Sequence, residues 1–163
     1  MTEQLKRRGL CHAHIDGDTL EAIFPEEPGA EMSLDNLTAM WSNYYSMRGT
    51  PWLIFSGTAI VMKCDCIQES LLGACQKTSP KVTTADIRIQ TDAVILTIPD
   101  DEAVARLTQR EVGSELAHCL TSSEKMTRVL NDTGDDWAAR VPTDGRNVKD
   151  VALCSLKRAG WID

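Results

Sequence analysis

The sequence lacks a long apolar run. Its longest stretch without a charged side chain, residues 49–62, is shorter than the roughly 18 apolar residues that a membrane-spanning helix needs. The basic residues near the start are followed by mixed polar sequence, whereas a secretory signal continues with an apolar segment. We therefore expect a cytoplasmic protein without a membrane partner.

The sequence also lacks the local motifs of common catalytic and nucleotide-binding sites. It contains no Gly-x-Ser-x-Gly, no Walker-type phosphate loop, no Gly-x-Gly-x-x-Gly and no His-Glu-x-x-His. Its 6 cysteines are irregularly spaced and form no Cys-x-x-Cys pair, which favours free thiols over a disulfide framework. These absences favour a protein that acts by binding, without a cofactor.

The composition is that of a globular domain. Of 163 residues, 42% are hydrophobic and 25% are charged, so the chain can bury a core of its own. A net charge of -7 argues against nucleic acid as the main ligand, because phosphate binding depends on clustered Lys and Arg. We predict a single domain over residues 1–163, in which any seam would fall near residue 99, between sheet-rich residues 1–99 and helical residues 100–163.

Alternation of apolar and polar residues favours β-hairpins. Asp16-Gly17 is a typical two-residue hairpin turn, and Ser56-Gly57 and Thr91-Asp92 are further candidate turns within apolar sequence. Alternate residues of a strand face opposite sides of a sheet. The first hairpin would therefore place one set of side chains inward and His12 and His14 outward. The inward set is Cys11, Ala13, Ile15, Leu20, Ala22 and Phe24.

Helical spacing of apolar residues predicts the remaining elements. The predicted helices begin at or near Ser33, Asp65, Asp100, Ser114, Ser122 and Arg146. Gly160 is expected to end the last helix, with Trp161 folding back on Leu156. Together these elements predict an α+β fold with a mostly antiparallel sheet built from hairpins, helices packed on one face and an all-helical C-terminal third.

The segment His12-Ala13-His14-Ile15-Asp16 resembles the His-x-His-x-Asp motif of metallo-β-lactamase-like hydrolases, and His-x-His also opens many amidohydrolase barrels. The resemblance covers five residues and implies a metal-dependent hydrolase. Zinc or another divalent transition metal would be held by His12, His14 and Asp16, with His118 as a further ligand. The sequence has Gly17 where the lactamase-like pattern has another histidine, and a hairpin explains the same residues without a metal.

The cysteines offer a second, less specific metal hypothesis. Cys64, Cys66 and Cys75 could supply thiolates to zinc, but their spacing matches no zinc ribbon or knuckle. His118 and Cys119 are neighbours in sequence, so on a helix their side chains point in different directions. We expect Cys119 to pack and His118 to face solvent.

Aromatic residues are crowded near the end of the first long predicted helix. The aromatic side chains expected in the core are Trp41, Trp52 and Phe55. Tyr44 and Tyr45 are adjacent, so only one of them is expected to face inward. Tyr and Arg are enriched at interface hot spots. We therefore predict a contact surface formed by Arg48 and by whichever of the two tyrosines faces outward.

The last predicted helix carries a basic stripe formed by Arg146, Lys149 and Lys157. Such a stripe can contact phosphate or an acidic partner. It is therefore a second candidate interaction surface and the basis of a nucleic-acid-binding alternative.

These features predict a small intracellular, non-enzymatic protein that acts by protein–protein contacts as an assembly component, adaptor or inhibitor. A self-associating homo-oligomer formed through an apolar or aromatic patch is one form of this prediction. The alternatives are the metal-dependent hydrolase and nucleic-acid binding.

Overall fold

The structure is a computed structural model that describes residues 1–25, 31–78, 87–132 and 137–163. The chain divides into two compact units: residues 2–91 form the first, and residues 92–163, with Met1, form the second. None of the helices in the described ranges combines the length and apolar character of a membrane span. The single-domain hypothesis stays a prediction.

The first unit is a β-α-β unit followed by two further helices. Its elements are α1 (Thr2–Lys6), β1 (Ala13–Asp16), a 3₁₀ turn (Gly17–Thr19), α2 (Glu31–Arg48), β2 (Leu53–Ser56), α3 (Ala59–Met62) and α4 (Cys64–Thr78). β1 and β2 pair in parallel, from Ala13 opposite Leu53 to Asp16 opposite Ser56. Parallel pairing needs a long crossover connection, which α2 supplies.

The core of the first unit lies between this strand pair and helices α2 and α4. Its buried residues are Ala13, Ile15, Leu20, Leu37, Trp41, Ile67, Leu71, Ala74 and Cys75. Trp41 is buried as predicted, and its Nε1 donates a hydrogen bond to the Sγ of Cys75 at 3.4 Å. The indole is thus both packed and satisfied, as a buried Trp requires.

The second unit also contains a parallel strand pair. Its elements are β3 (Ala93–Thr97), α5 (Asp100–Arg110), α6 (Ser114–Asp132), β4 (Ala138–Pro142) and α7 (Val148–Arg158). β3 and β4 pair from Ala93 opposite Ala138 to Thr97 opposite Pro142. The buried side chains of this unit are Ile95, Ala138, Val141, Ala152, Ser155, Leu156 and Ala159. Every one comes from a strand or from α7 and its C-terminal cap.

The end of α7 has the predicted geometry. Gly160 adopts a φ of 68°, and the Trp161 N–H donates to the Leu156 carbonyl at 2.9 Å, as in a helix that stops at a left-handed residue. The start differs from the prediction, since α7 begins at Val148 and Arg146 precedes it. The two helices predicted near Ser114 and Ser122 form the single helix α6.

The α+β class is confirmed, but the hairpin-built antiparallel sheet is wrong. Each of the two sheets described has two parallel strands. The Asp16 carboxylate accepts a hydrogen bond from the Asp18 N–H at 3.2 Å and starts the 3₁₀ turn, so no hairpin forms there. The alternation that predicted a hairpin sets the faces of a strand and says nothing about its partner.

The other predicted turns are also corrected. β2 ends at Ser56, and after Gly57 the chain enters α3. Part of the third hairpin, residues 85–86, lies outside the described residues, while Ile87 and Ile89 pack against the first core without forming a strand. The all-helical C-terminal third is wrong as well, because it contains β4.

Candidate functional site

A cavity of about 180 Å³ lies in the first unit, next to the residues that follow β1 and β2. Ligands of open α/β sheets bind outside the carboxyl ends of parallel strands. The cavity wall is mostly apolar, with Leu20, Leu34, Leu37, Phe55, Ile60 and Ile67 in it. Leu20, Leu37 and Ile67 are buried, so the core of the unit closes the cavity on one side.

Two glycines bring the segments after the strands together beside this cavity. A Cβ on Gly17 would lie 2.9 Å from the Ser56 carbonyl oxygen and 3.1 Å from the Phe55 ring. Gly57 has a φ of 136°, and a Cβ on it would lie 3.6 Å from the Gly17 Cα. A side chain at Gly17 would collide, and one at Gly57 would strain the backbone. The cavity edge therefore depends on both glycines.

Charged groups of both signs lie at the cavity. Asp18, Glu21 and Lys63 are exposed and the Ser33 hydroxyl is half-buried. Within the described ranges, none of the three charged side chains takes part in an ion pair. An apolar cavity with unpaired positive and negative groups can bind a ligand that carries both charges.

The residues of the histidine motif have separate partners. The His12 Nδ1 lies 2.8 Å from the Leu10 carbonyl oxygen, and the His14 Nε2 lies 3.1 Å from the Ser56 Oγ. Asp16 caps the 3₁₀ turn, and His118 is exposed on α6 of the second unit. The ranges that the structure describes contain no group of three or more His, Cys, Asp or Glu residues suited to a metal ion. The metal site stays a prediction.

Sequence reasoning missed the close approach of His14 and Ser56. The predicted hairpin pairs His14 only with nearby residues, whereas Ser56 lies 42 positions away in the chain. A serine and a histidine at this distance can act as nucleophile and base when a third group orients the histidine. In the described part of the chain, no hydrogen bond to the other ring nitrogen of His14 is found. The pair alone does not make a catalytic triad.

All six cysteines are free thiols. Cys11 is exposed, as are Ala22 and Phe24 of the same predicted face, so the predicted inward positions of these three residues are wrong. Cys64 is half-buried, and burial, followed by the neighbouring Asp65 carboxylate, raises the pKa of its thiol. Since the thiolate is the reactive and metal-binding form, this environment makes Cys64 less reactive. Cys119 is half-buried on α6.

The predicted aromatic contact surface lies against the core of the first unit. Tyr44 and Tyr45 are both half-buried and both pack against that core, whereas only one was expected to face inward. The rings of Trp41 and Tyr45 have centroids 6.0 Å apart and are tilted by 39°. Arg48 is exposed at the end of α2.

The basic residues near the C-terminus are exposed. Lys149 and Lys157 lie on α7, and Arg146 lies before it. The Asn147 side chain caps α7 by accepting from the Asp150 N–H at 2.9 Å. The acidic Asp150 thus lies beside Lys149 in the first turn, which reduces the positive charge of the stripe.

Helices α5 and α6 and the residues between them present a further candidate surface, which we call the α5–α6 surface. We define it by the apolar residues Val104 and Leu107 on α5, Val112 in the connection, and Leu116 and Leu120 on α6. Val104 and Val112 are 48% and 83% exposed, and the three leucines are half-buried. Of the side chains of α5 and α6 that the structure describes, none is fully buried. Sequence reasoning missed this surface because helical spacing of apolar residues predicts burial.

No family model, no curated protein and no solved structure matches this chain. The cavity of the first unit and the α5–α6 surface of the second both combine apolar groups with exposed charge.

Proposed function

We propose that this protein acts without catalysing a reaction, by binding another protein through the α5–α6 surface. The observation that carries the proposal is the incomplete burial of two helices of 11 and 19 residues. Burial of apolar surface is the main force in protein association. A partner that covered Val104 and Val112 would remove apolar area from water that this chain leaves exposed. An assembly component, an adaptor or an inhibitor would bind in this way.

The charges around the surface indicate the chemistry of the partner. Residues 100–132 contain 7 acidic and 4 basic side chains. The ion pairs within this segment are Glu102 with Arg106, Glu111 with Arg110 and Glu124 with Arg128. Most of its positive charge is thus already paired, and the remaining charge is acidic. The complementary partner has an apolar surface with a basic rim.

Self-association is the other form that this binding can take. Two copies of the α5–α6 surface would bring like charges together, which costs free energy. We therefore place a different protein ahead of a second copy as the partner. Size-exclusion chromatography with light scattering separates the two, because a dimer at high concentration would identify the second copy as the partner.

Photo-crosslinking tests the surface itself. A photoreactive amino acid replaces Val112 in the full chain, and the matched control carries it at Val148, a valine on α7 with the same exposure, 85% against 83%. In cells that make the protein, we expect one adduct of defined mass from position 112 and none from 148. Equal adducts from both positions, or none from 112, would contradict the proposal.

The two alternatives keep their own tests. Stoichiometric zinc, manganese or iron in protein purified without chelator would support the metal-dependent hydrolase, and its loss in His12→Ala would place the metal at the motif. Retardation of DNA or RNA that weakens steeply with salt would support nucleic-acid binding through Arg146, Lys149 and Lys157.

A further inference from the structure

We propose that the cavity of the first unit binds a free α-amino acid with a large apolar side chain, held as its zwitterion. This site is independent of the α5–α6 surface and goes beyond the proposed binding of a protein. Three features carry it: the size of the cavity, its apolar wall, and unpaired charges of both signs.

The cavity suits an apolar group of limited size. Its volume is about 180 Å³, and a cavity of roughly 150 Å³ lined by Leu, Ile and Phe takes up benzene. A branched aliphatic or aromatic side chain would therefore fit. The buried residues Leu37 and Ile67 form part of the wall, so the occupant would contact the hydrophobic core directly.

The carboxylate of the ligand would bind at Lys63. This lysine lies at the cavity and immediately precedes α4. Within the described ranges Lys63 forms no ion pair, so its ammonium group is available to the ligand carboxylate.

The ammonium group of the ligand would bind at Asp18 and Glu21. Both carboxylates lie at the cavity and are exposed, and neither forms an ion pair within the ranges described. A ligand with only one charge would satisfy one side of the cavity and leave the other group unpaired. A ligand with both charges satisfies each, so charge complementarity selects a zwitterion.

Calorimetric titration of the full chain with L-leucine, L-phenylalanine and two single-charge analogues of leucine tests the proposal. L-leucine carries both charges, isocaproate keeps the same apolar part and the carboxylate, and isoamylamine keeps the apolar part and the ammonium group. We expect L-leucine to bind at least about tenfold more tightly than either analogue, since each charge-assisted contact contributes about one factor of ten. Absence of saturable binding by L-leucine and by L-phenylalanine, or equal binding of a single-charge analogue, would overturn the proposal.

Charge variants locate the site. Lys63→Met should weaken L-leucine binding about tenfold and leave isoamylamine unaffected, and Asp18→Asn should leave isocaproate unaffected. The matched controls are Lys77→Met on α4 and Asp35→Asn on α2, both exposed and outside the cavity wall. If a control weakens L-leucine binding as much as its paired variant, the site assignment is wrong. All four positions are exposed, so circular dichroism should show an unchanged fold.

Discussion

The two units have a similar order of elements but differ in where their cores lie. Each contains a parallel strand pair whose strands are joined by helix, and each continues into a further helix. In the first unit the connecting helix α2 buries Leu37 and Trp41. In the second, the connecting helices α5 and α6 bury no side chain that the structure describes. Parallel pairing requires a crossover connection, but it does not require the connection to be part of the core.

The source of the second core explains this difference. Ile95 and Val141 from the strands pack in the same unit as Ala152 and Leu156 of α7, so the core is completed by the helix that follows the pair. The helices between the strands are then free to present apolar residues outward. This is why the α5–α6 surface, and not α2, is proposed as the binding surface.

Truncation of a leucine in each connecting helix should give the largest contrast. Leu37→Ala removes a fully buried side chain and should lower the free energy of unfolding by about 2–5 kcal/mol. Leu120→Ala removes a half-buried one on α6, for which we expect about 1 kcal/mol or less. Urea unfolding measures both. Equal losses would show that α6 packs as tightly as α2 and would break the comparison.

Replacing glycine with alanine should have opposite effects on stability at a crowded and at an open position of the first unit. Gly17→Ala places a methyl group against the Ser56 carbonyl oxygen and should destabilise by roughly 1–3 kcal/mol. A Cβ added at Gly73 on α4 would meet no atom within 4 Å beyond its own stretch of helix. Gly73→Ala should therefore raise the free energy of unfolding by about 0.5–1 kcal/mol, because Ala favours helix over Gly. Thermal unfolding would show opposite shifts. A neutral Gly17→Ala would mean that the segments after β1 and β2 can move apart.

The N-terminal cap of α7 tests how far the second core depends on this helix. Asn147→Ala removes the acceptor of the Asp150 N–H and should cost about 1 kcal/mol. Asn43→Ala, an exposed change within α2, serves as the control and should stay within about 0.5 kcal/mol of the parent. Chemical denaturation measures both. A cost as small as that of the control would indicate that the second core does not depend on the start of α7.

The smallest expected effect concerns the thiols of the first unit. Burial and Asp65 raise the pKa of Cys64, so its folded form holds the proton more tightly than the unfolded form. This contribution to stability is present at neutral pH and is lost as the pH rises through the folded-state pKa. At mildly alkaline pH, iodoacetamide should label Cys64 more slowly than the exposed Cys66. Peptide mass spectrometry measures the two rates, and faster labelling of Cys64 would contradict the assignment.

Much of the local structure was predictable because its signals lie within a few residues. The buried Ala13 and Ile15 and the exposed His14 follow from strand alternation. The stop at Gly160 follows from the need for a left-handed residue. By contrast, Asp16-Gly17 is compatible with both a hairpin and a 3₁₀ turn, and nothing nearby in the sequence decides between them.

The candidate sites were less predictable than the elements. The cavity combines Asp18, Ser33 and Lys63 from three separate parts of the chain, and no spacing pattern links them. The contact of His14 with Ser56 depends on the parallel register of β1 and β2. The exposure of Val104 and Val112 depends on which helix completes the second core.

The sequence by itself determined the α+β class, the apolar face of β1 and the end of α7, because alternation, helical spacing and the backbone freedom of glycine act over a few residues. Only the tertiary structure decided that β1 pairs with β2 and β3 with β4, and that α2 belongs to a core while α5 and α6 do not. Strand partners and core membership depend on burial shared by segments 40 and 45 residues apart in the chain, and a local pattern contains no information about such distant neighbours.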